Sequence, residues 1–407
     1  MKKLLSILCA AVLLATLVIT CVSCGGSSVS ADFKVGAILI GDENEGYTYA
    51  HINGIRTAAK ELGMSDDQII WKYTVPEDEK CYDAAIDLVE QGCSVIFSNS
   101  YGHQSHMKQA AQECPDVTFV AMTGDQAATS GLSNYKNAFT GVYQSRYVAG
   151  VVAGMKLAEL VADGKLTDAN YDGDNIKLGY VGAYPYADVV SGFTAYYLGV
   201  KSVVENVTMQ VTYTNSWFDI TAEGTVAEAL AADGCVIISQ HADSTGAPAA
   251  VQALQDKGQV IYCVGYNVDM LSVAPNAALT SPTNTWAVYY KYAMETAANG
   301  GTIDTNWAKG YEADAVGITA LGSACAAGTQ EKVDEVVKGL KDGSIKVFDT
   351  SKFTVGGATL TEYLADVDGD FAPDTNAIWD GYFHESEMRS APYFDIRIDG
   401  IVENNNN

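Results

Sequence analysis

Lys34-Val-Gly-Ala-Ile-Leu-Ile40 and Ile176-Lys-Leu-Gly-Tyr-Val181 each set a short apolar run directly ahead of a stretch of helical length. Both open a series. Runs of this kind begin at 34, 69, 94 and 117 (Lys34–Ile40, Ile69–Thr74, Ser94–Ser98, Val117–Ala121). They begin again at 176, 208, 235 and 260 (Ile176–Val181, Thr208–Tyr213, Cys235–Ser239, Val260–Val264). Steps of 35, 25 and 23 residues are matched by steps of 32, 27 and 25. Apolar runs alternating with helices imply βαβ units and a parallel sheet buried on both faces. Two series of matching spacing imply two similar α/β lobes rather than one large sheet.

The intervening helices carry their own punctuation. Thr48–Leu62 stops at Gly63 and Ala84–Gln91 at Gly92, glycines suited to a left-handed C-terminal turn. Gln144–Leu160 holds Gly150 and Gly154, which permit close packing on another element. Asp219 opens a helix that runs to about Ala232, and Asn284–Ala298 ends at Asn299-Gly300-Gly301. Beyond about Gly328 the pattern breaks into short segments rich in Asp, Gly and Thr. These are expected to be hairpins and turns packed on a lobe, with Asn404–Asn407 loose.

Fifty acidic residues against 24 Lys+Arg give a formal charge of −26. That balance argues against nucleic-acid binding and against docking on anionic lipid through basic residues. With 48 % apolar and 18 % charged residues the chain can bury a core. At the N-terminus, Met1-Lys2-Lys3 precedes the uncharged run Leu4–Val22, the pattern of a secretory signal. Ser23-Cys24-Gly25-Gly26 resembles the end of a bacterial lipoprotein signal. Residues 1–23 are therefore expected to be a signal peptide, Cys24 to be lipidated and residues 24–31 to be a tether. Cys21 is the weaker lipidation candidate, and a permanent anchor helix is the alternative. The six later cysteines (Cys81, Cys93, Cys114, Cys235, Cys263, Cys325) form no CxxC pair and are expected as free thiols.

Ligands of open parallel sheets sit at the carboxyl ends of the strands. The residues there are Asp42–Tyr49, Asn99-Ser100-Tyr101 and Met122–Asp125 in the first series. In the second they are Ala183-Tyr184-Pro185, Thr214–Asp219, Gln240–Ser244 and Gly265–Asp269. All but Ala183-Tyr184-Pro185 mix an aromatic or hydroxyl group with Asn, Asp or His, and basic residues are nearly absent. Facing each other, they would offer π-faces to a flat ring and hydrogen bonds to its edge, and little to a phosphate. Ala242-Asp-Ser-Thr-Gly246 nearly matches a nucleophile elbow, but the first glycine is missing and His384 is the only downstream base. No phosphate loop, dinucleotide fingerprint or HExxH motif is present, so an enzyme is not expected. Neither is a metal or a cofactor. His103 and His106 lack a third ligand, and Asp366-Val-Asp-Gly-Asp370 has Phe371 and Ala377 where a calcium loop needs Gly and Glu, so it reads as a solvated turn.

Six stretches resemble the basic membrane protein (BMP) family of ABC-importer solute-binding lipoproteins. They are Gly46–Arg56, Ile96–Gly102, Tyr143–Gly150, Thr214-Asn-Ser-Trp-Phe-Asp219, Gln240-His-Ala-Asp-Ser244 and Val264–Asp269. The likeness runs from about Phe33 to about Leu321, and the strings at 214 and 240 are those of its purine-base branch. It implies the type I periplasmic-binding-protein fold, two Rossmann-like lobes with parallel sheets joined by a hinge. Residues 32–142 and 270–327 would form lobe 1, residues 143–269 lobe 2, and residues 328–407 an extension packed on a lobe. It also implies that Tyr47 and Trp217 sandwich the ligand ring, while Asn99, His241, Asp243 and Asn267 read its edge. Ser100, Tyr101, Asp269 and Trp286 would complete the site. Asn267 and Trp286 stand where the nucleoside branch carries ribose-directed Asp and Lys, which favours a free base such as adenine. By resemblance the protein is a monomer on the extracytoplasmic face of the cell membrane, serving permease and ATPase subunits. A sugar-binding lipoprotein acting as a sensor and, further off, a nucleoside hydrolase are the rival readings.

Overall fold

A computed structural model describes residues 29–404; the expected signal peptide, Cys24 and residues 405–407 lie outside the described residues. The first series forms β1 (Val35–Ile38), α1 (Gly46–Glu61), β2 (Ile69–Lys72), α2 (Glu79–Glu90), β3 (Val95–Ser98), α3 (Gln104–Glu113) and β4 (Thr118–Met122). A fifth strand, β5 (Tyr135–Thr140), follows. Sequence reasoning misses it because Lys136 and Asn137 interrupt its apolar run. Both are buried, and Asn137 is satisfied by backbone: Oδ1 accepts from Ala127 N at 2.6 Å and Nδ2 donates to Ala121 O at 3.0 Å. After α4 (Val142–Ala162) come β6 (Asn175–Gly182), α5 (Ala187–Lys201), β7 (Val207–Tyr213), α6 (Ile220–Ala232), β8 (Ile237–Gln240), α7 (Gly246–Asp256) and β9 (Tyr262–Val264). Further on lie α8 (Trp286–Ala298), β10 (Asn306–Lys309), α9 (Thr329–Asp342) and β11 (Ile401–Glu403).

Each series builds its own parallel sheet, in the orders β10-β5-β4-β3-β1-β2 and β9-β8-β6-β7-β11. In both, the first strand lies between the second on one side and the third and fourth on the other. The topological switch points therefore fall between β1 and β3 and between β6 and β8, where doubly wound sheets bind ligands. The edge strands β10 and β11 come from distant sequence.

The lobes are joined where β5 runs into α4 and through two antiparallel crossing segments, Pro282–Asn284 and Val316–Ile318. The return to the first lobe thus falls near residue 282, later than the expected 270. Residues before it extend the second sheet's edge: Cys263 N donates to Ala277 O and Leu279 N to Cys263 O, each at 2.9 Å. Residues after Gly328 also differ from expectation, opening with the fourteen-residue α9. Val333, Val336 and Leu340, spaced at helical intervals, join the core of Val148 and Tyr180 in the second lobe.

Two glycine positions set the helix packing. A Cβ on Gly150 of α4 would lie 2.1 Å from Tyr196 O of α5, and one on Gly199 would lie 2.1 Å from Tyr147 O. The two backbones touch there. The six cysteines are free.

Glu385 of the C-terminal segment is buried, and burial pushes its carboxyl up to about 8, against the pull of Ser191, the Tyr393 and Phe394 amides and Arg389. The folded protein therefore holds this proton where the unfolded chain has lost it, so its contribution to stability falls as pH rises from about 4.5 to about 8. Glu385→Gln is expected to raise the melting temperature relative to wild type by roughly 3–5 °C at pH 8.5 and by little at pH 5. Parallel melting curves across that range would refute the assignment.

Candidate functional site

The loops after β1 and β3 in the first lobe face those after β6 and β8 in the second. Glu45 caps α1, accepting from Tyr47 N at 2.6 Å and Thr48 N at 2.8 Å, and so presents the Tyr47 ring in the first helical turn. The Tyr47 hydroxyl donates to Asn99 O, and its ring meets His51 edge-on with centroids 4.6 Å apart. Burial, with Tyr290, Tyr266 and Asp243 near, holds that phenol well above the usual range. Tyr266 and Asp243 belong to the other lobe. The lobes are in contact: a Cβ at Gly46 would lie 3.3 Å from Asp243 O and 3.6 Å from Val268.

On the second lobe, Asp219 caps α6 and Glu223, buried beneath it, accepts from Ser244 N at 3.2 Å, which braces the loop after β8. Asp243 N donates to Trp217 O at 2.7 Å, so Asp243 and the Trp217 segment are held together. The indole is 39 % exposed and sits among Tyr184, Tyr186 and His241, with centroids 5.5, 6.2 and 6.3 Å away. Asp243 accepts from Asn267 Nδ2 at 2.8 Å, and Asn267 Oδ1 accepts from Asn284 Nδ2 at 3.0 Å. Asn284 in turn accepts from Thr140 Oγ1, so this chain runs from the second lobe to the end of β5. Asn267 sits at φ +60°, a left-handed position that Asn tolerates. Burial raises the Asp243 carboxyl well above its usual range, with Glu45 and Glu223 adding to the shift.

The other expected residues fall as follows. Asn99 is buried with its amide engaged: Oδ1 accepts from Ile40 N at 2.8 Å and Nδ2 donates to Thr48 Oγ1 at 3.2 Å. It supports Tyr47 from below rather than offering a free edge. Ser100 Oγ donates to Glu77 at 2.5 Å, and the half-exposed Tyr101 donates to Asp125 Oδ2 at 3.0 Å. His241 is buried, with Nδ1 3.3 Å from Tyr180 Oη and Nε2 3.9 Å from Asp188 Oδ2, so both ring nitrogens turn toward protein groups. Burial, then Arg146, drives it well below its ordinary pKa. Two expected residues are placed away from the cleft. Trp286 stacks on His51 (4.3 Å) in the core of the first lobe, because Gly54 leaves room for it; a Cβ there would meet Trp286 Cβ at 2.8 Å. Asp269 is exposed and accepts from Leu271 N at 2.7 Å, serving its own turn.

Sequence reasoning assigns no role to Arg146, Asp188 or Tyr266, although Tyr266 stands in the Gly265–Asp269 cluster. Arg146 of α4 is fully buried, lies 3.6 Å over the Tyr266 ring and donates to Gln240 O at 2.5 Å. Its position inside a helix gives no hint that it reaches the end of β8. Ser244 Oγ accepts from Gly246 N at 3.1 Å, at the start of α7. A cavity of about 660 Å³ lies elsewhere, between β10, the end of α9 and residues 382–390.

Two Rossmann-like lobes whose strand-end loops face each other form the periplasmic-binding-protein type of fold. The chain belongs to the Bmp family, the PnrA-like ABC transporter substrate-binding proteins, whose model matches residues 40–350. A purine-binding protein of Brucella abortus (strain 2308) is 32 % identical over 267 residues, 65 % of this chain and 69 % of that one. A putative ABC transporter glucose-binding protein of Haloferax volcanii is 27 % identical over 277 residues, 68 % of this chain and 64 % of that one. Among solved structures, an ABC transporter solute-binding protein from Aeropyrum pernix K1 superposes with a TM-score of 0.63 at 16 % identity, covering 80 % of this chain and 94 % of that one. A solute-binding protein from Conexibacter woesei gives 0.59 at 18 %, covering 77 % and 98 %. Membership makes the protein a non-enzymatic component of an extracytoplasmic import system, working with a small-molecule ligand and with permease and ATPase subunits. Among the described residues no helix is long and apolar enough to cross a membrane.

Proposed function

We propose that the cleft captures a purine base or nucleoside, adenine-like for preference, and closes on it for delivery to the permease. What supports this is that Tyr47 of the first lobe and the Trp217 segment of the second both come close to Asp243, which is bonded to Asn267 and through it to Asn284. Flat rings stack on such faces, and the amides and carboxyl supply edge selectivity. The Brucella relative named for purine binding supports the choice. The second reading, a sugar, is supported by the Haloferax relative and by the same aromatic faces. Ligand binding to the folded state raises the melting temperature. A thermal-shift screen of the full chain is expected to respond to adenine, less to adenosine, and not to glucose or amino acids; a response to glucose alone would sink the purine reading.

The same proposal places the protein as a monomer on the extracytoplasmic face of the cell membrane, held by acyl chains on Cys24. Two acyl chains anchor stably where one does not. Metabolic labelling with palmitate is expected to mark the wild type, and Cys24→Ala is expected to lose the label and its membrane fractionation. Retention of both by the variant would count against Cys24.

A further inference from the structure

We propose that the C-terminal segment, residues 343–404, is a latch that holds the cleft closed, with Arg389 acting through Asp125 as a positioning residue for Tyr101. Its two attachments differ in kind. To the second lobe it is bound by core and strand. Phe348, Phe383, Phe394 and Ile396 share one core with Val148 and Tyr180. Strand β11 lies parallel to β7, with Met209 N donating to Gly400 O and Asn404 N to Val211 O, each at 2.9 Å.

To the first lobe it is bound by polar groups. Arg389 Nη1 stands 3.7 Å from Asp125 Oδ2, both side chains nearly buried. Asp125 Oδ2 also accepts from Tyr101 at 3.0 Å. Ser390 N and Oγ donate to Asn306 Oδ1 of β10 at 3.4 and 3.2 Å, and Thr129 Oγ1 donates to Asp368 O at 3.4 Å. Arg389 is aimed by its own segment, since Nε donates to Ala391 O at 3.2 Å and Nη2 to Pro392 O at 3.1 Å.

An apolar anchor cannot come apart without exposing core, whereas polar groups exchange their partners for water at modest net cost. Tyr101, beside Asn99 and Ser100, follows β3 and Asp125 follows β4, both at the carboxyl-terminal ends of first-lobe strands. Hinge opening therefore breaks the polar side and leaves the apolar side intact. Removing any one of these polar bonds weights the closed state less, and a ligand that needs closure binds more weakly by the same factor.

This inference rests on the cleft being the ligand site, whatever the ligand is. Adenine is the probe. In the full chain, Arg389→Gln, Asp125→Asn and Ser390→Ala are each expected to weaken adenine binding by about 3- to 10-fold, chiefly through faster dissociation. The Arg389→Gln and Asp125→Asn losses should not add in the double variant. Small-angle scattering of the ligand-free variants should show a larger radius of gyration than wild type, a shift that loss of a merely local support would not give. Unchanged affinity with unchanged radius, or strictly additive losses, would overturn the latch. If wild type fails to bind adenine, the purine reading falls, and the scattering comparison alone then decides the latch. Ser390→Ala keeps the test open should Arg389→Gln not fold.

Discussion

Gly150→Val is expected to lower the stability of the second lobe by at least about 3 kcal/mol, more than any cap or surface change in this chain. The new Cβ would sit 2.1 Å from the Tyr196 carbonyl oxygen, an atom of helix backbone that cannot rotate away. The two helices would have to separate, opening the core of Val148, Val152 and Tyr196. Opposing this is the helix propensity gained on replacing glycine, about 1 kcal/mol at most. Gly199→Ala meets Tyr147 O in the reciprocal way and should behave alike. Gly63→Ala is the control: it sits at φ +70° with nothing within 4 Å, so only backbone strain of about 1 kcal/mol opposes it. Thermal unfolding followed by circular dichroism compares the three. A shift for Gly150→Val no larger than that of Gly63→Ala would show that α4 and α5 do not pack backbone to backbone.

Trp217→Ala is expected to weaken purine binding by roughly 5- to 150-fold, corresponding to about 1–3 kcal/mol for one stacked base. Because the indole is 39 % exposed in the ligand-free protein, the ligand-free melting temperature should move little. Trp286→Ala should show the opposite pattern. Its ring is fully buried against His51 and Phe139, and removing it is expected to cost about 3–5 kcal/mol of folding stability. Measured side by side by calorimetric titration and thermal melting, the pair separates a ligand ring from a core ring. Equal purine affinity in Trp217→Ala and wild type would remove the sandwich from the mechanism.

The site is legible in part from sequence. The segments holding Tyr47 and Trp217 can be read because each follows a strand at the end where such sheets bind ligands, while the choice of these two rings rests on the family resemblance. Asp243 and Asn267 are legible for the same reason, and the structure bonds them to each other. Sequence could not show that the Asn99 amide is taken by Ile40 and Thr48, or that both His241 nitrogens face Tyr180 and Asp188. Side-chain engagement depends on neighbours far away along the chain, which no local pattern encodes. Trp286 resembles a ligand residue because it stands where the nucleoside branch carries a ribose-directed Lys, but its depth depends on Gly54 of another helix.

Periodicity and punctuation by themselves determined two α/β lobes, the strand runs of each series, and helix ends such as Gly63, Gly92 and Asp219, because these follow from the burial of adjacent residues and from local backbone freedom. Tertiary structure alone decided the rest. Polar β5 is a strand because the interior satisfies Asn137, and β10 and β11 are edges because distant segments reach open sheet sides. The C-terminal segment bridges both lobes, since a hydrophobic anchor and a polar attachment can be told apart only when their partners are in place.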